Sequence, residues 1–562
     1  MKNYQKYKKQ YFLPQNPTFE WVSKDAIEKA PIWCSLDLRD GNQALTLPMT
    51  LDEKLEFFQT LVKIGFKEIE VAFPAASQTD FMFVRRLIED NLIPEDVTIQ
   101  VLTQAREPII KKTFEALRGA PRAIINIFTT MSKAQREQVF RKSKEEMFNL
   151  AIGGAEMLVK FAEEEQCDFQ YEYILDSFTG TEPEYALETC NAVLDVWKPT
   201  SSKNAIIGLA GTLQYSSPHV YANQVEYISK NLKYRENVVI SLHPHNDRGT
   251  GVADCELGIL AGGYRVEGTL FGNGERAGNA DLVTTALNMY AHGVNPKLDF
   301  SDMPSIIASY EKNTHKHVFE RAPYAGELVF CAFSGVHQDA MTKGLKYREK
   351  LQKTSSEIVP WSVPYLPIDP EDLGRSGSRD AVRINSQSGK GGIGFVLEQN
   401  GFDLPLKMRK AIVPKVKEVS IKQNKELFAE EIVDIFKHNY MDITTPISLI
   451  KSTFSSKESN LWTFFEIKHN KKTVCLEGTG NNPVDAIKRV LMLYLGIEDN
   501  NHGENIFCSS HRIDDKTVSY TGIKINEKLY WGASIEKDAV LSTVKSLVSA
   551  INNILCDDSY VD

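Results

Sequence analysis

Paired cysteines, long apolar runs and a basic excess are all missing from this sequence. Its eight cysteines, at positions 34, 167, 190, 255, 331, 475, 508 and 556, are scattered and form no C-x-x-C. That scatter points to a reduced, intracellular chain. No apolar run approaches the length of a membrane span. Lys and Arg number 65 against 74 Asp and Glu, a formal net charge of -9. The balance leaves no electrostatic footprint for DNA or RNA. The opening residues, MKNYQKYKKQYF, are basic and aromatic but lack an apolar signal core. Their low Arg and Ser content argues against a transit peptide. An N-terminal arm over residues 1–30 and a cytoplasmic protein without membrane or nucleic-acid partners are therefore expected.

What is present is length and rhythm. The 562 residues are 42% hydrophobic, enough for two or more cored domains. From 31 to 300, β-rich apolar runs alternate with amphipathic stretches such as LDEKLEFFQTLVKIG and TDFMFVRRLIED. The runs are Ile32–Leu38, Glu68–Phe73, Thr98–Thr103, Arg122–Phe128, Asp168–Leu175, Ile206–Leu209, Val238–Leu242 and Arg265–Phe271. Eight strand-then-helix units predict an α/β fold, a (β/α)8 TIM barrel, with an open doubly wound sheet as the alternative.

After residue 300 the rhythm stops. Residues 301–425 read as a linker region of helices and loops, including VPWSVPYLPIDP and SQSGKGGIG. Residues 426–562 read as an α+β domain with an internal duplication. A helix, ELFAEEIVDIFKHNY, precedes paired strands around TFFEIKHNKKTVCLEG and the helix VDAIKRVLMLYLG. Strands in TVSYTGIKINEKLYWGASI and the helix VLSTVKSLVSAINNIL then repeat the pattern. No residue there reads as chemistry, so binding or assembly is its expected role.

In such a barrel, function sits where strands end. Polar clusters fall at those ends: Arg39-Asp40-Gly41-Asn42-Gln43, Thr103-Gln104, Asp176-Ser177, Thr212, His243 with His245, and Gly272 to Arg276. On a strand, His243 and His245 point to one side. They could be metal ligands, or they could hydrogen-bond loop backbone. Asp40 is the natural carboxylate partner and Asn279, in ERAGN, an amide one. Arg39 beside a metal-bound Asp40 could polarise a carbonyl, or it could be a structural ion pair. The glycines of GNGERAGN lack the Lys-Ser/Thr of a phosphate loop. A tight loop bringing Asn279 toward the metal is the preferred reading. His337, in FSGVHQDA, is expected on an exposed loop outside the barrel, as an acid or base if that region folds over a mouth.

LRDGNQ (38–43) and SLHPHNDRGTGVA (241–253) resemble two signatures of the metal-dependent acyl-transfer and aldol-type barrel superfamily. QVLTQAREPIIKKTFEALRGAPRAI, SFTGTEPEYA, GNGERAGNADLV, FSGVHQDAMTKG, WSVPYLPIDPEDLGR and RINSQSGKGG narrow it. Together they resemble the 2-isopropylmalate synthases of the long bacterial and fungal type, from about residue 15 to the end. The resemblance implies a homodimer with a catalytic barrel, a helical linker and a C-terminal regulatory domain that binds leucine. It implies a Claisen condensation of acetyl-CoA with a 2-oxo acid, then thioester hydrolysis. Asp40, His243, His245 and Asn279 match metal-binding motifs, Arg39 the residue that polarises the keto group, and Thr212 a contact to the substrate carboxylate. His337 matches a linker histidine, usually the partner subunit's, that assists acid–base chemistry; Asp176 is assigned as its orienting carboxylate. The divalent metal stays open among Mg, Mn and Zn.

The departures from the family cluster at the substrate pocket, to which Leu102 is also assigned. Ile174 stands for a serine, Asp176 for a glutamate and Asn126 for a histidine. Ala210-Gly211-Thr212-Leu213-Gln214 replaces Pro-Ala-Thr-Val-Glu, and Ser376-Gly377-Ser378-Arg379 replaces a Tyr-Glu. A methylene in a hydrophobic pocket is worth only about 1–3 kcal/mol, so several changes together could retarget the oxo acid. The expected substrate is 3-methyl-2-oxobutanoate, with a bulkier 2-oxo acid as the alternative. A carbon–carbon lyase or aldolase on the same barrel competes, but the effector-like C-terminal domain speaks against it. A non-catalytic relative is disfavoured by the intact Arg39, Asp40, His243 and His245.

Overall fold

A computed structural model describes residues 3–375, 383–386, 388–457, 460–497, 505–525 and 527–557. The departure at Ser376–Arg379 lies outside the described residues. The chain divides into two compact units, Met1–Val329 with Pro370–Arg375, and Phe330–Asp369 with Ser376–Asp562.

The first unit is built on β1 (Ile32–Ser35), β2 (Glu68–Ala72), β3 (Thr98–Gln104), β4 (Ala123–Thr130), β5 (Gln170–Asp176), β6 (Ala205–Gly211), β7 (Val238–Pro244) and β8 (Arg265–Gly268). These pair in sequence order into a closed barrel. β1 returns to β8 in parallel register, Ile32 opposite Arg265 through Ser35 opposite Gly268. Closure excludes the open doubly wound sheet.

A helix follows each strand: α1 (Leu51–Ile64), α2 (Gln78–Glu89), α3 (Glu107–Leu117), α4 (Lys144–Glu165), α5 (Pro183–Trp197), α6 (Pro218–Asn231), α7 (Gly251–Leu260) and α8 (Leu282–Tyr290). α1 shows why. Thr50 and Glu53 form a capping box at its start. Phe57, Phe58, Leu61 and Ile64 bury one face, and Gly65 at φ 111° ends the helix in a left-handed cap. A ninth helix, α9 (Met303–Thr314), follows.

The first and eighth strands end three residues earlier than expected. The first ends at Ser35, not Leu38, because the Asp37 carboxylate accepts from Ser35 Oγ (2.8 Å) and from the Leu270 amide (3.1 Å). These bonds turn the chain into a buried π-helical turn, Asp37–Gly41. The eighth ends at Gly268, where the returning Ala280 carbonyl would lie 2.5 Å from any Cβ. Phe271 then takes φ 56°.

The second unit holds α10 (Gly335–Thr354), α11 (Lys390–Gln399), α12 (Leu406–Gln423) and α13 (Ala429–Tyr440). His337 is exposed as expected, but in the first turn of α10 rather than on a loop. Gln338 pins that turn by donating to Ala332 O and Arg383 O, both at 2.7 Å. The duplication is present: two antiparallel three-stranded meanders, each followed by a helix. The first is β9 (Ile447–Lys457), β10 (Asn460–His469) and β11 (Lys472–Gly480) with α14 (Pro483–Leu495). The second is β12 (Ile506–Ile513), β13 (Lys516–Ile525) and β14 (Lys528–Glu536) with α15 (Ala539–Leu555). One core joins them, with Phe465 and Ile487 from the first round packed with Ile523 and Leu547 from the second. Among the described residues, no helix is long and apolar enough to cross a membrane.

Candidate metal centre

The barrel's inward positions are charged, which an apolar core does not tolerate without full pairing. Arg265 is fully buried. Its guanidinium donates to Glu68 (2.5 Å), Glu172 (3.1 Å), Ser241 Oγ (2.9 Å), Gln100 Oε1 (2.7 Å) and Glu267. Toward the strands' C-terminal ends sit Arg39, Asp40, His243 and His245.

The turn after β1 carries Arg39 and Asp40; the end of β7 carries His243 and His245. Asp40 Oδ2 lies 3.6 Å from His243 Nε2 and 3.9 Å from His245 Nε2. The two imidazoles stack with centroids 5.4 Å apart. Among the described residues these three form the one His/Cys/Asp/Glu cluster able to share a metal ion, and all three are buried. Asn279 reaches the same place through a backbone bridge to His245. Gly274 packs on its side chain: a Cβ there would lie 2.5 Å from Asn279 Nδ2. Asn279 Nδ2 donates to Asn273 O at 3.2 Å.

The residues fit a divalent cation. Buried Asp40 Oδ2 and Asn279 Oδ1 have no hydrogen-bond partner, a costly state for lone pairs shielded from water. The second polar atoms of Asp40 and His243 are fixed. Arg39 Nη1 holds Asp40 Oδ1 at 2.7 Å. Glu267 Oε2 holds His243 Nδ1 at 2.8 Å, which aims Nε2 inward. Two imidazoles, a carboxylate and an amide oxygen suit Mg, Mn or Zn without selecting sharply.

The electrostatics agree. Burial opposes ionisation of Asp40, yet Arg39 and the two histidines hold its carboxyl well below the usual range. Burial would also lower His243, but Asp40 and Glu267 raise it to about 10. Burial and the charge on His243 push His245 down to about 4. In the metal-free protein His243 is therefore an imidazolium, with Nδ1 facing Glu267 and Nε2 facing Asp40. Burial, and then Glu267, raise Glu172 well above the usual range.

Leu102, Asn126 and Ile174 stand on adjacent strands. Leu102 is opposite Asn126, and Asn126 opposite Glu172, two positions before Ile174. Ile174 covers Gly208, where a Cβ would meet its Cγ1 at 2.6 Å. Asn126 Nδ2 donates to Glu70 Oε2 at 3.1 Å. Asp176 accepts from Thr130 Oγ1 (2.7 Å) and Thr212 Oγ1 (2.5 Å). His337 belongs to the second unit, where its ring stacks on Tyr365 at 4.1 Å.

The barrel matches the HMGL-like family over residues 30–309. The later residues match "Alpha-isopropylmalate synthase, post-catalytic domain-like" over 327–398 and "LeuA allosteric (dimerisation) domain" over 426–555. A 2-isopropylmalate synthase of Desulfitobacterium hafniense is 51% identical, covering 100% of both chains. The chain belongs to the 2-isopropylmalate synthase family. Other 2-isopropylmalate synthases, from Helicobacter hepaticus and Acetoanaerobium sticklandii, are 50% and 47% identical over 98% of this chain, covering 100% and 97% of theirs. Among solved structures, an HMG-CoA lyase from Brucella melitensis aligns with TM-score 0.41 and 14% identity, over 51% of this chain and 100% of that one.

Within this member of the 2-isopropylmalate synthases, sequence reasoning passed over Glu70, Gln100, Glu172, Arg265 and Glu267. The signal was available: EIEVA and RVEG place charges two apart inside strands, on the inward face. Gln214 is one of the departures from the family pattern. It clamps the loop after His245, accepting from the Arg248 amide (2.6 Å) and donating to Thr250 Oγ1 (3.0 Å) and Asp254.

Proposed function

We propose that this protein condenses acetyl-CoA with 3-methyl-2-oxobutanoate and hydrolyses the thioester, giving 2-isopropylmalate and free CoA. The observation that carries this reading is Arg39 bridging Glu70 and Asp40 Oδ1, while Asp40 Oδ2 faces two buried imidazoles. Asp40, His243, His245 and Asn279 would hold a divalent metal, which when bound supplies Lewis acidity for the keto and carboxylate oxygens of the 2-oxo acid. Arg39 places a fixed positive charge where the keto oxygen becomes an alkoxide. Thr212 orients the substrate carboxylate, and Leu102, Asn126 and Ile174 wall the acid's side chain. His337 is the base assigned to remove the proton from the acetyl methyl group. The carbanion attacks the keto carbon, the alkoxide takes a proton, and water then cleaves the thioester to release the CoA thiol.

The match of residues 426–555 to an allosteric dimerisation domain supports a homodimer under allosteric control, with leucine as the proposed effector. The test is thiol release from acetyl-CoA across a panel of 2-oxo acids, with and without Mg, Mn or Zn. Fastest release with 3-methyl-2-oxobutanoate is expected. Preference for a bulkier acid would reassign the substrate, and no release with any acid would sink the synthase reading.

A further inference from the structure

Beneath the metal ligands the buried polar side chains close into a ring. Arg39 joins Asp40 Oδ1 (2.7 Å) to Glu70 Oε1. Gln100 Nε2 donates to Glu70 Oε2 at 2.8 Å, and Gln100 Oε1 accepts from Arg265 at 2.7 Å. Arg265 holds Glu267 Oε1, and Glu267 Oε2 holds His243 Nδ1 at 2.8 Å. His243 Nε2 faces Asp40 Oδ2 at 3.6 Å. We propose that Gln100 is a positioning residue of the metal centre, locking the arm that fixes Arg39 and Asp40 to the arm that fixes His243.

Three arguments support this, all resting on the metal site proposed above. First, Gln100 is fully buried, and both ends of its amide are engaged by ions. Its orientation is forced, since only the NH2 can serve a carboxylate and only the oxygen a guanidinium. Second, the link needs a neutral group with one donor and one acceptor. A glutamate would oppose Glu70, and an apolar residue would leave Glu70 Oε2 with Asn126 alone. Third, charge-assisted bonds in a low-dielectric interior carry orientation strongly along the chain of partners. Asp40 Oδ1 and His243 Nδ1, the second atoms of two of the ligands, are both held by this ring, so loosening Gln100 should loosen Asp40 and His243 together.

The test uses full-length protein stripped of metal by chelation and titrated with Mn2+ alone, free ion read by electron paramagnetic resonance. Gln100→Met keeps length and removes both bonds. Outer partners of metal ligands are worth about 10–100-fold in metal affinity, so the Mn2+ Kd should rise at least about tenfold. A role confined to packing would lower the thermal midpoint and leave the Kd of the folded variant alone. A Kd within twofold of wild type overturns the proposal. Should Gln100→Met not fold, Gln100→Asn keeps the buried amide but withdraws it by one carbon from Glu70 and Arg265, and carries the same test. An unchanged Kd there overturns it equally. Wild-type protein that binds Mn2+ but releases no thiol with any 2-oxo acid would overturn the proposed activity, while the Kd comparison still decides the role of Gln100.

Discussion

Glu267 Oε2 meets His243 Nδ1 at 2.8 Å, and this bond turns the other ring nitrogen toward Asp40. A carboxylate there keeps one proton on Nδ1, so that loss of the second proton bares the Nε2 lone pair toward Asp40. Glu267→Gln removes the charge and offers an NH2 that favours the opposite tautomer. Metal affinity should fall about 10–100-fold. Calorimetric titration with Zn2+ or Mn2+ measures it. Unaltered affinity would return Glu267 to a packing role beneath the site.

The proton on His243 makes metal binding pH-dependent. Its folded value is raised to about 10 from 6.5, because Asp40 and Glu267 outweigh burial. A raised value means that the proton stabilises the metal-free fold fully below 6.5, and that this is lost as pH rises through 10. The thermal midpoint of metal-free protein should therefore fall across that window. Metal must displace the same proton, so its apparent affinity should climb tenfold per pH unit. His245, lowered to about 4, contributes no proton near neutrality. Calorimetry in two buffers of different ionisation enthalpy should report about one proton released per metal at pH 8. None released would contradict the assignment.

The barrel was legible because its strands and helices differ in period, and each of the eight strand runs became a strand. Strand ends were less legible. Asp37 terminates β1 through a bond to Leu270, 233 residues away, and the returning Ala280 carbonyl terminates β8, neither of which the strand's own residue pattern contains. Asp40, His243 and His245 could be grouped in advance because they stand at strand ends, and the fold brings those ends together. Their supporters could not be placed from residue type alone. Glu267 and Arg265 look like any strand charges until closure of β1 on β8 puts them inside.

Asp254 offers a stability test away from the ligands. Burial raises its carboxyl from 3.8 to about 7, although Gln214 donates to it and opposes the shift. A raised carboxyl favours folding only when protonated. The wild-type fold therefore loses stability as pH climbs from about 4 to 7 and bears the full penalty above. Asp254→Asn keeps an acceptor for Gln214 and removes the charge. Its thermal midpoint should exceed that of wild type at pH 8 and converge with it near pH 4. A gain independent of pH would show that ionisation is not the cause.

Ile174 should set how large an acid the pocket takes. It is 5% exposed, and its Cγ1 occupies the space above Gly208. Ile174→Ala removes three carbons from that wall. Truncating a buried Ile costs about 2–5 kcal/mol of stability, so the midpoint should drop. In return, 2-oxo acids one or two methylenes longer gain room. Each methylene in such a pocket discriminates by about 10–200-fold, so kcat/KM for the longer acid relative to 3-methyl-2-oxobutanoate should rise at least about tenfold. The ratio cancels any loss of folded enzyme common to both substrates. If the ratio holds steady while both rates fall, Ile174 supports the barrel and does not touch the acid.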